Sequence, residues 1–330
     1  MNKTHAKSLC CEALIHRFGN RRRQCSECKK TWRIRKKTRG RKKKRETVAL
    51  VEKYLRHEIP SLYAISKSTG KSADVLEARL NRSRDGFLKH TPWPPLPRGM
   101  PLIAIADAMV QWIEGTRYSF YFILLRPTTD HQAVIVPPIV RQGTEDAAGW
   151  EAAFARIPLD VQACIEALVC DGRFGLMLCA KHRQWIIQRC QFHLIARLQL
   201  KRSKWSSSRH SDEGHRLYTL VKTICTTRDT RCLSQTVSEL EEIAWHTKQG
   251  DLKTILHGFV NHYEQYRSYL MYPTLNLPTT SNAIEALIGG LRNLSHRARG
   301  FRTRHSFMKW ISAYLKSKRT FTCNGFRQPN

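Results

Sequence analysis

Acidic residues are scarce in this chain: 26 Asp and Glu stand against 57 Lys and Arg, a formal net charge of +31 over 330 residues. A surface so poor in negative charge does not suit cationic partners. It suits polyanions, because Lys and Arg displace counterions from phosphates, and nucleic acid is the first partner to consider. Long apolar runs are also missing. None approaches the roughly 20 residues of a membrane-spanning helix, and none reads as a signal peptide, so a cytoplasmic, nucleoid-associated protein with no membrane partner is expected. In that reducing compartment the 11 cysteines are thiols and not a disulfide framework. There is no internal repeat. What is present is a hydrophobic share of 41 %, enough to bury a sizeable core.

The charge is unevenly spread. Residues 1–99 hold 27 of the 57 basic residues but 8 of the 26 acidic ones, which marks the N-terminal third as a separate functional unit. Within 1–34, Cys25-Ser-Glu-Cys28-Lys-Lys-Thr-Trp32 has the spacing of a zinc-ribbon knuckle, since thiolates two residues apart suit tetrahedral zinc. The first knuckle is irregular: Cys10 and Cys11 are adjacent, so the expected ligands are Cys11, His16, Cys25 and Cys28, with His5 or Cys10 as alternatives to His16. Arg21, Arg22 and Arg23 precede Cys25 and would project toward phosphate. Residues 35–45 form a basic arm whose Arg39-Gly40-Arg41 resembles a minor-groove hook. Over 46–90 the apolar spacing turns helical and is broken by Thr69-Gly70-Lys71, with Ser72 placed to cap a last helix that carries Arg79, Asn81, Arg82 and Arg84 on its exposed face. A helix-turn-helix is the sharp reading and a plain three-helix module the bland one. Four prolines within 91–99 predict a linker and a domain boundary.

Residues 100–318 read as one α/β domain. Strand-like runs at Leu102–Met109, Tyr118–Leu125 and Ala133–Ile139 predict an antiparallel meander. A helix over Glu145–Ile157, a buried strand Ile165–Cys170, a short helix near Phe174–Lys181 and a strand at Trp185–Arg189 follow. From Gln191 to Tyr269 the period is helical without a convincing strand, and a long helix after Pro278 carries Glu285. Residues 319–330 read as a tail.

Asp107 and Asp171 each end an apolar strand-like run, and small residues follow them, Ala108 and Gly172. Most strand-end aspartates only start turns. Two of them plus a helical Glu285 make a set of hard oxygen donors able to hold two divalent ions for phosphodiester chemistry. Cys190 and His193 alone do not read as a zinc site, because no second metal-ligand pair lies nearby in sequence and buried Cys is commonly a small apolar residue.

The order Asp107, Asp171-Gly172, Arg189-Cys190-x2-His193, then Thr279–Glu285 with Leu291-Arg292 resembles the DDE transposases with an RNase H-like fold, bacterial insertion-sequence and Mutator-like members above all. The resemblance covers about residues 100–318. It implies an RNase H-like mixed sheet with an all-α insertion at about 200–278, and Asp107, Asp171 and Glu285 as the catalytic triad holding two Mg²⁺, with Mn²⁺ as a substitute. It further implies Cys190 and His193 as a family signature of structural role, double-stranded DNA (element ends and target) as partner, and a homo-oligomer on DNA. Arg292, Arg297 and Arg299 beyond Glu285 would hold the scissile backbone. The implied activity is binding of terminal inverted repeats, metal-dependent cleavage and strand transfer. The rivals are a nuclease without strand transfer and a domesticated DNA-binding regulator that uses only residues 1–90.

Overall fold

The computed structural model describes residues 10–11, 13–18, 22–33, 51–56, 58, 62–205, 211–248, 250–297 and 303–323. The chain falls into two compact units, Met1–Ala49 and Leu50–Asn330. In the first, strands β1 (Ile15–Phe18), β2 (Arg22–Cys25) and β3 (Thr31–Arg33) form an antiparallel sheet in that order. The basic arm, with Arg39 and Arg41, and also Arg21 and His5, lie outside the described residues.

The second unit opens with helical residues 51–55, then α1 (Leu62–Thr69) and α2 (Ala73–His90). Between the two labelled helices Gly70 takes φ +65°, a left-handed turn natural to glycine, and Ser66 Oγ donates to Lys71 O at 2.6 Å to close it. Ser72 occupies the N-cap position, but its side chain makes no capping hydrogen bond. In α2, Leu76, Leu80, Ser83, Arg84 and Phe87 are buried, a helical stripe. Arg84 therefore departs from the expected exposed face: its guanidinium lies over the Trp310 ring and pairs with Asp85 at 3.0 Å. Arg79 and Arg82 remain exposed. The proline-rich segment is not a free linker. Lys316 stacks on Trp93, and Leu96 packs against the sheet's core. Proline forbids ladder hydrogen bonds and leaves side-chain packing intact.

The sheet has seven strands in the order β10-β6-β5-β4-β8-β9, with β7 also on β5. β4 (Leu102–Ile113) and β5 (Thr116–Pro127) form a long antiparallel hairpin, while β8 (Ile165–Cys170) and β9 (Ile186–Arg189) run parallel to β4 on its other side. The single third run expected over Ala133–Ile139 is two strands, β6 (Gln132–Ile135) and β7 (Ile139–Gln142), which share one edge of β5. Pro137-Pro138 supplies no N–H there and forces the break. The expected tail is partly sheet: β10 (Thr320–Thr322) pairs with β6.

Side chains alternate across each strand. Leu102, Ala104 and Ala106 of β4 and Leu168 and Cys170 of β8 join a core with Trp150, Phe154, Leu176 and Cys179 from α3 (Ala147–Phe154) and α5 (Phe174–His182); the short α4 (Leu159–Gln162) adds Val161. The opposite face takes α11 (Asn282–Arg297) and α12 (Arg304–Lys318), where Phe307 meets Phe120 edge-on. Between β9 and α11 the chain builds a second core from four helices, α6 (Gln191–Trp205), α7 (Ser211–Thr226), α8 (Thr230–His246) and α9 (Gly250–Val260), the last three followed by the short α10 (Ser268–Met271). No strand occurs in this stretch among the described residues. The fold class is therefore α/β, with an all-helical insertion. No helix among the described residues is long and apolar enough to cross a membrane.

Candidate active site

Asp107 does not end its strand, as its sequence context suggests, but lies in the middle of the twelve-residue β4. The neighbouring strand is what ends there. The last β4–β8 pair is Ile105 with Val169, so Asp107 and Asp171 both stand two residues past it, level with each other. The alternation that sends Ala104, Ala106, Leu168 and Cys170 into the α3/α5 core sends both aspartates to the face that carries α11. Burial and then the Asp171 charge push Asp107 up to about 7, against the hydrogen bond that Ala108 N–H donates to Oδ1 at 2.8 Å. Two carboxylates held close in a poorly solvated place repel each other, and a divalent cation is what that arrangement accommodates.

Gly172 takes φ +88°, and a Cβ there would run into the Arg189 guanidinium. Arg189 donates to Gly172 O at 3.1 Å and stacks on Tyr266 of the insertion, so the turn after Asp171 is held from the helical layer. Arg173 N–H donates to Asp171 Oδ1 at 2.9 Å, and its side chain pairs with Asp171 at 3.4 Å and with Glu145 at 3.8 Å.

Glu285 sits in the first turn of α11, where an anion is favoured. The segment before it is docked onto the end of β9: Gln191 N–H donates to Thr279 O at 2.9 Å and Ser281 N–H to Cys190 Sγ at 3.3 Å. Ser281 Oγ donates to Glu285 Oε1 at 2.7 Å and fixes the carboxylate. The two signature segments, far apart in sequence, are thus one contact in space. His193 lies beside this joint, with Nδ1 3.5 Å from Glu285 Oε1. Its interaction with Cys190, and then the Glu285 and Asp107 charges, outweigh burial and push it up to about 9. His193 is therefore the link between the Asp107 side and the Glu285 side of the site.

Glu145 is the residue that sequence reasoning missed. It was expected to begin a helix, but Asp146 is the actual cap, accepting from Gly149 N at 2.7 Å, and Glu145 lies just outside it. Trp150 Nε1 donates to Glu145 Oε1 at 2.9 Å, and the Glu145 charge acts on Asp107. Burial, with help from Asp171, pushes Glu145 above the usual carboxylate range. Only the proximity of a carboxylate to a helix start marked it in the sequence.

Farther along α11, Arg292 and His296 are exposed; Arg299 and the side chain of Arg297 lie outside the described residues. In the first unit the sulfurs of Cys10, Cys11, Cys25 and Cys28 lie within 4.8 Å of one another, a set that could bind zinc. His16 is not among them. It lies exposed on β1, paired in register with Gln24, so the strand carries it away and Cys10 takes the expected place. The neighbouring Cys28 thiol, foremost, pushes Cys11 up to about 12, an order that a bound cation reverses.

A comparison with curated proteins finds no match. The model of the family described as transposase, Mutator family, matches residues 129–322, a segment that holds Asp171, Cys190, His193 and Glu285 but starts after Asp107. That segment is more than half of the chain, and the protein belongs to the Mutator family of transposases.

Proposed function

We propose that this transposase is of the DDE type: it binds the ends of its element through residues 1–90 and cuts and joins DNA at Asp107, Asp171 and Glu285. The observation that carries the reading is the convergence of these carboxylates on one face of the sheet, with β8 ending level with Asp107 and the Thr279–Ser281 segment docked on Cys190. An RNase H-like sheet accounts for the antiparallel β4–β5 hairpin flanked by parallel β8 and β9.

Asp107, Asp171 and Glu285 would hold two Mg²⁺, which supply activation of water or a 3′-hydroxyl and charge neutralisation at the scissile phosphate. The chain's own residues set the stage. Ala108 N–H, Arg173 and Ser281 each fix one carboxylate. Exposed Phe174 and Phe192, beside Arg173 and His193, offer apolar faces to bases. Arg292 and His296 offer charge to the backbone. In the first unit, β-register sets Arg17 opposite Arg23 and Arg22 opposite Arg33, pairs whose repulsion a phosphate backbone relieves. Arg79 and Arg82 on α2 are placed as in a recognition helix of a helix-turn-helix. A homo-oligomer on DNA joins two ends.

The test is a cleavage and strand-transfer assay with Mg²⁺ and the DNA flanking the protein's own gene, beside Asp171→Asn. Metal-dependent nicking and joined products, both lost in the variant with end binding retained, are expected. Nicks that are never joined would mean a nuclease, and binding without cleavage a regulator; either result removes the proposal.

A further inference from the structure

Cys190 is buried to 1 % exposure at the edge of a site made otherwise of hard oxygen donors, which have no use for sulfur. Its Sγ stands 3.8 Å from Glu285 Oε1, His193 Nδ1 stands 3.5 Å from the same oxygen, and all three atoms lie within 4.8 Å of one another. Around tetrahedral zinc, with bonds of about 2.3 Å to sulfur and about 2.0 Å to nitrogen and oxygen, neighbouring donor atoms stand about 3.3–3.6 Å apart. Two of the three spacings come within a few tenths of an ångström of that value.

A second observation points to a ligand. His193 Nδ1 is shielded from solvent and makes no well-formed hydrogen bond, while it faces the Cys190 thiol and the Glu285 carboxylate, the latter at 3.5 Å. A shielded ring nitrogen poised between a thiol and a carboxylate, without a well-formed hydrogen bond to either, has the arrangement of a metal ligand. The outer layer is also present: Ser281 donates its N–H to Cys190 Sγ and its hydroxyl to Glu285 Oε1, orienting two of the donors at once.

We propose that Cys190, His193 and Glu285 form a zinc-class transition-metal site that shares Glu285 with the carboxylate centre. Three protein donors leave a fourth position to solvent, on the side where His193 and Glu285 are partly exposed. Zinc bound here withdraws Glu285 from magnesium, so micromolar zinc inhibits magnesium-supported cleavage. That consequence rests on the reading of Glu285 as a magnesium ligand; the zinc site does not.

The test is zinc content of the full-length protein after dialysis against micromolar zinc and then buffer, measured by mass spectrometry. Wild type is expected to retain about two zinc ions per chain. Cys190→Ala, His193→Gln and the double variant Cys25→Ser, Cys28→Ser should each retain about one. Because Cys190 also anchors Ser281, His193→Gln keeps the test valid if Cys190→Ala misfolds, and circular dichroism monitors folding of both. A single zinc in wild type that disappears with Cys25 and Cys28, or a zinc content unchanged by His193→Gln, overturns the site. Inhibition is read separately, as the fall in cleavage on adding zinc relative to each protein's own zinc-free rate, about tenfold in wild type and little in His193→Gln. Absence of any magnesium-supported cleavage would count against the catalytic reading and leave the zinc count as evidence on its own.

Discussion

The two sulfur-bearing clusters of this protein have opposite surroundings. In Met1–Ala49 the four cysteines lie at the end of β2 and in turns beside a small three-stranded sheet, where Cys25 is the one buried residue among those described. In Leu50–Asn330, Cys190 lies where β9 meets the segment leading into α11, backed by a sheet core and a helical core. The difference teaches where folding free energy comes from. Among its described residues the first unit has almost no apolar interior, and such a unit would depend on a cation held by its thiolates, whereas a unit with two cores can leave carboxylates crowded. Strain is tolerated where packing outweighs it.

The largest test of the contrast is removal of metal. A strong zinc chelator should unfold the first unit, if zinc binding worth about 10 kcal/mol or more holds it, and remove that unit's share of end binding, while the main thermal transition of Leu50–Asn330 persists. Differential scanning calorimetry with limited proteolysis measures both; loss of the main transition as well would break the comparison.

The reciprocal test is Trp150→Ala. Trp150 is fully buried, packs edge-on against Tyr121 and donates to Glu145, so the variant should lose about 3–5 kcal/mol in denaturant titration while zinc content stays unchanged.

A smaller effect is expected from Asp107→Asn. The folded chain holds a proton on Asp107 up to about pH 7, whereas an ordinary carboxylate releases it near 3.8. Between those values the native state binds more protons than the unfolded state, so this group's contribution to stability falls as pH rises. His193, raised to about 9 from 6.5, runs the same way at higher pH: its contribution is present below 6.5 and is lost as pH passes 9. In chelator at pH 8, Asp107→Asn should therefore be more stable than wild type by about 1–2 kcal/mol, and at pH 4 nearly equal to it. Thermal melts at the two pH values decide this. Equal stability at pH 8 would mean that the carboxylates are not in conflict.

The smallest effect separates the two units as DNA readers. Arg79→Ala and Arg22→Ala should each lower the salt slope of end binding by about one. Chelator should erase the difference between Arg22→Ala and wild type and leave that for Arg79→Ala visible.

Much of the larger unit was legible because period and punctuation agree there. The apolar runs of β4, β5 and β8, the helix after Pro278 and the strand-free stretch beyond Gln191 each carry a local signal. Apart from the strand broken at Pro137-Pro138, the misses have one main cause: the deciding partner is distant in sequence. Arg84 reads as a surface cation until Trp310 lies under it, and Thr320–Thr322 reads as a tail until β6 offers an edge. Glu145 looks like a helix start until Arg173 and Asp171, from the end of β8, come beside it.

The sequence by itself determined the polyanion-seeking charge, the alternation of helix and strand, and which residues have the chemistry to bind metal, because these depend on composition and near-neighbour spacing. Tertiary structure alone decided that Cys10 and not His16 joins the other three thiols, that Asp107 meets Asp171 where β8 ends, and that Glu285 comes to Cys190 and His193. Those outcomes depend on strand register and on how the Thr279–Ser281 segment docks on β9, and such contacts are set by the packing of the whole chain, not by any local stretch of it.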